Sequence, residues 1–146
     1  MSLHTLIDFL EPVNIAQLSN DEGFKDTQLG THIAFYGEGL PDITDADMVL
    51  VGCGELRGAG MQYTNTGSPD AIRSEFYKLY HWHTEVKVAD IGNVKCGASL
   101  ADSYAALRTV VKELVEQGKK VIIIGGSHDN TFAQYQAYGS MNRIID

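Results

Sequence analysis

The feature that most constrains this chain is a short apolar run at residues 121–124, which consists of one valine and three isoleucines. A continuous run of β-branched residues is typical of a strand that is buried on both faces of a parallel sheet. The run stops at two glycines, and residues 127–129 are Ser, His and Asp. Because open α/β sheets bind ligands at the carboxyl ends of their strands, His128 lies where a metal ligand or a general base is expected. A hydrogen-bonded structural histidine is the alternative at this position.

Two further apolar segments precede this run and are interpreted as strands. Residues 48–51 form a continuous apolar run, and residues 86–90 form a strand that is predicted to end at Asp90, with a turn at residues 91–93. Amphipathic segments lie between and after the strands, so the element order from residue 45 is βαβαβα. That order predicts an α/β fold with a mainly parallel sheet, right-handed crossovers and helices on both faces.

Three helices are predicted from their capping residues and from the spacing of apolar side chains. The first begins with Ser68 as the N-cap and Pro69 in the first turn. The second begins at the capping-box pair Ser99 and Asp102, and the third spans residues 130–138. Apolar stripes define the predicted buried faces, which consist of Ile72, Phe76, Leu79 and Tyr80 in the first helix and Tyr104, Leu107, Val111, Leu114 and Val115 in the second.

The domain organisation follows from where this regular pattern begins. Residues 1–44 are predicted to form an irregular N-terminal extension, with a short strand within residues 32–36. Residues 45–146 are predicted to form the N-terminal half of one α/β domain, and residues 143–146 are expected to begin a further strand. A chain of 146 residues is long enough for one domain with a substantial core.

Composition and charge argue against several classes of partner. The net charge of −8, without a cluster of Lys and Arg, argues against nucleic acid and anionic membrane surfaces. No segment approaches the roughly 20 apolar residues of a membrane span, and the N-terminus lacks the basic region of a secretory signal. Cys53 and Cys96 do not form a CxxC pair, so we expect buried free thiols in a cytoplasmic protein.

Other histidines and loops offer weaker candidate sites. His81 and His83 alternate around Trp82, and they either share a metal or simply lie on the surface. The glycines within residues 58–60 lack the spacing of a dinucleotide-binding fingerprint, and no strand is followed by Gly-Lys-Ser/Thr. Ser127 is not in a Gly-x-Ser-x-Gly motif. An unrelated nucleotide-binding domain would need a phosphate-binding loop, which the sequence does not contain.

Three blocks resemble the arginase (ureohydrolase) family, and among its members they look most like formimidoylglutamases. Residues 57–60 (RGAG) and 68–73 (SPDAIR) are similar to the family's Gly-Arg-x-Gly-Ala and Gly-Pro-x-Ala-Ile-Arg block. Residues 90–94 (DIGNV) resemble Asp-Leu-Gly-Asp-Val. Residues 125–129 (GGSHD) resemble Gly-Gly-Asp-His-Ser, which formimidoylglutamases write as Gly-Gly-Gly-His-Glu. The resemblance covers roughly residues 45–138 and follows the family's order and spacing.

The resemblance implies a fold and a chemistry. Members of this family fold as a three-layer α/β/α sandwich and hydrolyse a guanidino or formimino carbon–nitrogen bond of a small linear amidine. They use two Mn²⁺ ions, which lower the pKa of a bridging water and stabilise the tetrahedral intermediate. By this resemblance His128 is the terminal ligand of one Mn²⁺, through a neutral imidazole nitrogen.

The chain also departs from the family pattern. Ser127 and Asp129 replace the Asp and the Ser of the motif, so the hydrogen bonds around the imidazole are expected to differ. The family's remaining ligands belong to an Asp-x-His-x-Asp segment and a later Asp-x-Asp segment, and neither follows His128 in this chain. Asp146 lies too early to begin the first of these segments.

Two functional expectations therefore stand side by side. The first is the N-terminal half of an arginase-family amidine hydrolase that is inactive alone. The alternative is a ureohydrolase-like binding or assembly module without metals. Because half of a sheet leaves an edge of unpaired backbone groups and an uncovered apolar face, we also expect the chain to form a homo-oligomer, paired through the sheet edge or through helix faces around residues 130–146.

Overall fold

The structure is a computed structural model that describes residues 3–62 and 67–139. The strands in this part of the chain are β1 (Leu10–Glu11), β2 (Ala34–Phe35), β3 (Met48–Gly52), β4 (Val88–Val94) and β5 (Lys120–Ile124). The α-helices are α1 (Ile15–Leu18), α2 (Leu29–His32), α3 (Ser68–Phe76), α4 (Leu100–Glu116) and α5 (Asn130–Tyr138), and short 3₁₀ helices span Leu3–Phe9 and Arg57–Ala59. The strand expected at residues 143–146 lies outside the described residues.

The sheet is mainly parallel, with β3 and β4 at its centre. β3 pairs in parallel with β4 on one side and with β5 on the other, while β2 and β1 both pair with β4, in parallel and antiparallel respectively. Val49 and Val51 therefore lie in the strand beside that of Ile122 and Ile124. Each of β3, β4 and β5 is followed by a helix, so the predicted βαβαβα order and α/β fold class are confirmed.

Helices cover both faces of the sheet. Side chains alternate along the strands, so each face carries apolar side chains that pack against helices. Val49 and Val51 pack into the core with the buried residues of α4 and with Ala133 and Ala137 of α5. Leu50 points to the opposite face, into a second core beside α3 and α1. The three layers that the family resemblance implied are thus present.

The N-terminal residues belong to the same sheet and core. Leu3, Leu6 and Leu10 are buried in the core that also contains α4. The short strand expected within residues 32–36 is present as β2. Irregular segments separate these elements, and the domain boundary at residue 44 stays a prediction.

Helix α4 forms as its sequence predicts. The Asp102 N–H donates to the Ser99 hydroxyl at 3.2 Å, and the Ser99 N–H donates to the Asp102 carboxylate at 2.9 Å, so the capping box is complete. Gly118, with φ of 77°, follows the last turn. The predicted stripe is buried except for half-buried Tyr104. Neither α4, at 17 residues, nor any other helix of the described segments is long and apolar enough to cross a membrane.

The predicted buried face of α3 is wrong at three of its four residues, and Phe76 alone of the four packs against the second core. Ile72, Leu79 and Tyr80 are 42%, 54% and 66% exposed, whereas Arg73 and Tyr77 are fully buried. The helix also begins at Ser68 itself, with Gly67 at the cap position. The stripe was misassigned because the residue that this helix buries most deeply is an arginine, which carries no apolar signal.

Arg73 is buried because a complete set of acceptors surrounds its guanidinium. Its Nε and Nη2 donate to the two carboxylate oxygens of Asp90 at 2.7 and 2.9 Å, and Nη1 donates to Asn93 at 2.6 Å. The Tyr77 hydroxyl donates to the same Asp90 carboxylate at 2.8 Å. Burial raises the pKa of Tyr77, and the charge of Asp90 adds to the effect, so the phenol remains a donor.

The predicted end of the second strand at Asp90 is also wrong, because β4 continues through Gly92 to Val94. Gly92 has φ of 81° and lies at a bulge where β4 has one residue more than β3. A side chain at this position would collide with the carbonyl oxygen of Glu11 in β1. The glycine that indicated a turn therefore marks a bulge, beyond which β4 pairs with β1.

We predict that Arg73→Leu lowers the free energy of unfolding by about 3–5 kcal/mol, because it leaves the Asp90 carboxylate buried without its cation. Urea unfolding followed by circular dichroism measures this change. Arg108→Leu, the same substitution on the exposed side of α4, is the control and should change the free energy by about 0.5 kcal/mol or less. Equal losses in the two variants would contradict the role of the buried pair.

Candidate functional site

The loops that follow β3, β4 and β5 meet at one edge of the sheet. They consist of residues 53–60, 95–99 and 125–129, and each comes directly after the carboxyl end of its strand. Parallel strands bring these ends together, which makes this edge the expected ligand-binding side of the fold.

The turn after β5 is held close to the start of α3. Gly125 and Gly126 have φ of 85° and 72°, a region that residues with a side chain rarely adopt. A Cβ at Gly125 would collide with the ring of Pro69. The Gly126 N–H donates to the Ser68 hydroxyl at 3.1 Å. Ser68 therefore anchors the glycine turn, whereas the sequence predicted it as a helix cap.

His128 lies at this carboxyl edge, as predicted, and its side chain is exposed. It lines a pocket of about 210 Å³ together with residues 125–127 and the first turns of α5. Within residues 3–62 and 67–139, no three or more His, Cys, Asp and Glu side chains are grouped so that they could hold a metal ion. The metal role of His128 therefore stays a prediction.

Asp129 is turned toward α4, where two hydroxyl groups bind its carboxylate. The Ser127 hydroxyl donates to one oxygen, and the Tyr104 hydroxyl donates to the other. Burial opposes ionisation of Asp129, but the bonds from Ser127 and Tyr104 lower its pKa below the usual range. Burial, followed by the bond to Asp129, raises the pKa of Tyr104 to about 12, so the phenol keeps its proton. The two residues that depart from the family motif thus bond to each other and to α4.

An ion pair between Glu55 and Arg57 connects the loop after β3 to the loop after β4. Two bonds of 2.7 and 3.0 Å join the guanidinium to the carboxylate. The same guanidinium donates to the carbonyl oxygens of Gly97 and Ala98 at 2.8 and 2.9 Å. One arginine therefore closes the gap between two loops.

The backbone of Glu55 completes the connection to the third loop. The Ser127 N–H donates to the Glu55 carbonyl oxygen at 3.0 Å. The hydroxyl oxygen of Ser127 lies 3.1 Å from the same carbonyl oxygen. Burial by itself would raise the pKa of Glu55, but hydrogen bonds from Arg57 and Ser103 lower it to about 2. Glu55 is therefore an ionised residue that ties the three loops together.

Sequence reasoning did not identify Glu55 or the hydroxyl role of Tyr104. The available signal for Glu55 was an acidic residue three positions after a buried strand, with an arginine two positions further on. Tyr104 was assigned to the apolar stripe of α4, which its ring does join. The hydroxyl at its tip gave no indication of the partner 25 positions later.

The other candidate ligands do not join this site. His81 stacks on His32 with ring centroids 4.2 Å apart. His83 packs against Trp82 and lies 3.2 Å from the Glu85 carboxylate. The histidine pair therefore contacts neighbouring side chains.

The two cysteines are free thiols. Cys53 is buried as predicted, and burial raises its pKa to about 11, so it remains a protonated thiol. Its sulfur donates to the Asn130 side chain at 3.6 Å. Cys96 is only half-buried, in contrast to the prediction.

Comparison with known proteins supports the resemblance seen in the sequence. The family model described as Arginase family matches residues 46–144. The chain belongs to the arginase family. The matched residues include β3, β4, β5 and the glycine turn that carries His128.

Several curated relatives of this arginase-family chain are formimidoylglutamases. The protein from Streptococcus gordonii is 27% identical over 101 residues, which cover 66% of the chain and 31% of that protein. The protein from Staphylococcus haemolyticus is 30% identical over 105 residues, which cover 68% of the chain and 34% of that protein. The protein from Hahella chejuensis is 34% identical over 68 residues, which cover 47% of the chain and 21% of that protein. The matched part of the chain thus spans about a third or less of these relatives.

We predict that Glu55→Gln reduces the loss of stability in acid. The pKa of the Glu55 carboxyl is about 2 in the folded chain and roughly 4.3 in the unfolded chain, so its ionised form stabilises the fold fully above the unfolded pKa. This contribution disappears as the pH falls toward the folded pKa. Urea midpoints between these two pH values should therefore fall less steeply in the variant than in the wild type.

The matched control for this measurement is Glu75→Gln, on the exposed side of α3. It should leave the pH dependence of the urea midpoint unchanged. A Glu55→Gln profile that is parallel to the wild-type profile would contradict the proposed ionisation of Glu55.

Proposed function

We propose that this chain is the N-terminal part of an arginase-family hydrolase of a linear amidine, of the formiminoglutamate or guanidino type. The observation that carries the proposal is the place of His128: exposed beside a pocket, after a glycine pair, at the carboxyl edge of the sheet. Family membership and the similarity to formimidoylglutamases support the reaction class. The substrate itself is part of the proposal.

The described residues offer one ligand toward the Mn²⁺ pair of this proposal. The imidazole of His128 is a suitable nitrogen donor, and its exposure leaves it accessible to an ion. Glu55 and Asp129 already serve as acceptors for Arg57, Ser127 and Tyr104. The remaining ligands would have to come from outside the described residues. When bound, the metal pair would supply a water activated for attack on the amidine carbon.

The residues of this chain would act by positioning His128. The bond from Gly126 to Ser68 fixes one side of the turn, and the hydroxyl bonds to Asp129 fix the other. Partners around a ligating side chain are commonly needed to orient it. The arrangement therefore supports a histidine held by a rigid backbone turn.

A non-catalytic binding or assembly module is the second candidate function. It is favoured by the way in which Ser127 and Asp129, the two departures from the motif, bond to each other and to Tyr104. In either case we propose a cytoplasmic location, which the free thiols of Cys53 and Cys96 support.

We predict that the purified 146-residue chain does not hydrolyse arginine, agmatine or formiminoglutamate in the presence of Mn²⁺. The described part of the chain contains no group of three or more ligating side chains, and His128 by itself cannot hold two bridging metal ions. Release of urea, ammonia or formamide is the measurement, with a formimidoylglutamase as the positive control. Metal-dependent turnover that disappears in His128→Ala would show that the chain carries a complete site.

Transferring the residues found at positions 127 and 129 into a relative distinguishes the two candidate functions, the hydrolase and the non-catalytic module. In the Staphylococcus haemolyticus formimidoylglutamase, the two residues flanking the motif histidine that the family resemblance implies would be replaced by the Ser and Asp found at positions 127 and 129. We expect Mn²⁺ binding and turnover to be retained within about tenfold, a change of about 1.4 kcal/mol in the barrier. Replacement of that histidine by alanine is the control for lost activity. A folded graft that no longer binds Mn²⁺ would favour the module.

A further inference from the structure

A second pocket, of about 500 Å³, lies between α1, the segment that follows it and the second half of α3. Its volume is in the range of small-molecule sites, roughly 300–1,000 Å³. Ser68, the first residue of α3, binds the glycine turn of the candidate site, whereas Ser74 lines this pocket. Because an α-helix rises about 1.5 Å per residue, the two serines are roughly 9 Å apart along α3. The proposed hydrolase chemistry does not use this pocket.

This pocket lies on the side of α3 that faces β2. Helix α1, which packs against α3, follows Val13, and the Val13 N–H donates to the carbonyl oxygen of Tyr36 beside β2 at 2.8 Å. Because β2 pairs with β4, and β3 separates β4 from β5, this side of α3 lies away from the β5 edge. The remainder of the family domain is expected to continue at the β5 edge, so the pocket is not a surface that awaits it.

One wall of the pocket is apolar, and the segment that carries it is held by hydrogen bonds. Leu18 is buried, and the ring of Phe24 packs edge-on against the buried ring of Tyr77 with centroids 5.7 Å apart. The Lys25 N–H donates to the side-chain oxygen of Gln28 at 2.8 Å. This bond uses the oxygen of the Gln28 amide and not its N–H groups, so the pocket also contains an amide donor.

Two ammonium groups and one carboxylate line the pocket. Lys25 and Glu22 belong to the segment after α1, and Lys78 follows α3. Lys25 is the single basic residue among residues 1–47, which contain nine Asp and Glu residues. Lys78 lies 3.4 Å from the Glu75 carboxylate, but both side chains are at least half exposed, so this pair is weak and a ligand can replace it.

We propose that this pocket binds a small acidic amino acid. The two carboxylates of such a ligand match the ammonium groups of Lys25 and Lys78, and its ammonium group matches the carboxylate of Glu22. The Gln28 amide supplies a further hydrogen bond, and the methylene groups of the ligand pack on Phe24. This binding goes beyond the proposed hydrolase, because it requires neither a metal ion nor the carboxyl edge of the sheet.

Isothermal titration calorimetry of the purified chain, without added metal, tests the proposal. L-Glutamate and L-aspartate should each bind saturably, with one ligand per chain. L-Glutamine lacks the second carboxylate and glutarate lacks the ammonium group, so each leaves a charged group of the pocket without its partner. Both should bind at least about tenfold more weakly than L-glutamate. Inorganic phosphate that binds as tightly as the two amino acids would overturn the proposal, because it would indicate a general anion site.

The matched variants are Lys25→Met, Glu22→Gln and Lys112→Met. The first two remove exposed charges of the pocket, so each should raise the dissociation constant of L-glutamate about tenfold. Glu22→Gln should not weaken glutarate, which has no ammonium group to lose its partner. Lys112 pairs with Glu116 on the exposed side of α4, and its replacement is the control that should leave the constant unchanged.

Nuclear magnetic resonance locates the bound amino acid. Addition of L-glutamate should shift the amide signals of residues 17–28, Ser74 and Lys78, and leave those of residues 125–129 unchanged. His128→Ala should bind L-glutamate with the same affinity, so failure of the proposed hydrolase function would not remove this site. No saturable binding at millimolar ligand would overturn the proposal, as would equal weakening by Lys25→Met and Lys112→Met.

Discussion

The ion pair between Arg73 and Asp90 joins α3 to the central strand β4, and the position of the site depends on this bond. A buried guanidinium and a buried carboxylate are each costly to desolvate, so the structure must keep them together. The pair therefore fixes where α3 lies against the sheet. The first residue of that helix, Ser68, binds the glycine turn before His128. The buried Arg73–Asp90 pair therefore helps to fix the backbone turn that carries His128 at the edge of the sheet.

Around this constraint, the carboxyl edge is built from bonds between loops. Arg57 reaches the loop after β4, and the carbonyl oxygen of Glu55 binds the turn after β5. Three loops that are distant in sequence are thereby held together. The carboxylate of Asp129, in the third of these loops, also binds the Tyr104 hydroxyl of α4. Fixed loops on a parallel sheet suit a site that must hold a ligand in one orientation.

The sequence predicted those parts of the fold that depend on apolar periodicity and local capping. The strands around Val49 and Ile122, the capping box at Ser99 and the place of His128 all follow from short-range patterns. Two elements were misassigned where a long-range partner decides the outcome. Arg73 is buried because Asp90 receives it, and Gly92 continues a strand because β1 lies beside it. The bonds between loops in the candidate site were missed for the same reason, since no local pattern indicates a partner across the sheet.

The glycine turn also explains why the two departures from the family motif fall at residues 127 and 129 and not at residues 125 and 126. Gly125 and Gly126 both combine a positive φ with surroundings that a Cβ would strike. Residue 127 is half-buried, and its side chain contacts the Asp129 carboxylate and the carbonyl oxygen of Glu55. The five residues are therefore constrained in different ways: the backbone restricts the first two positions to glycine, whereas residues 127 and 129 are held by side-chain bonds. Divergence of the motif at residues 127 and 129 is compatible with an unchanged backbone path at the two glycines.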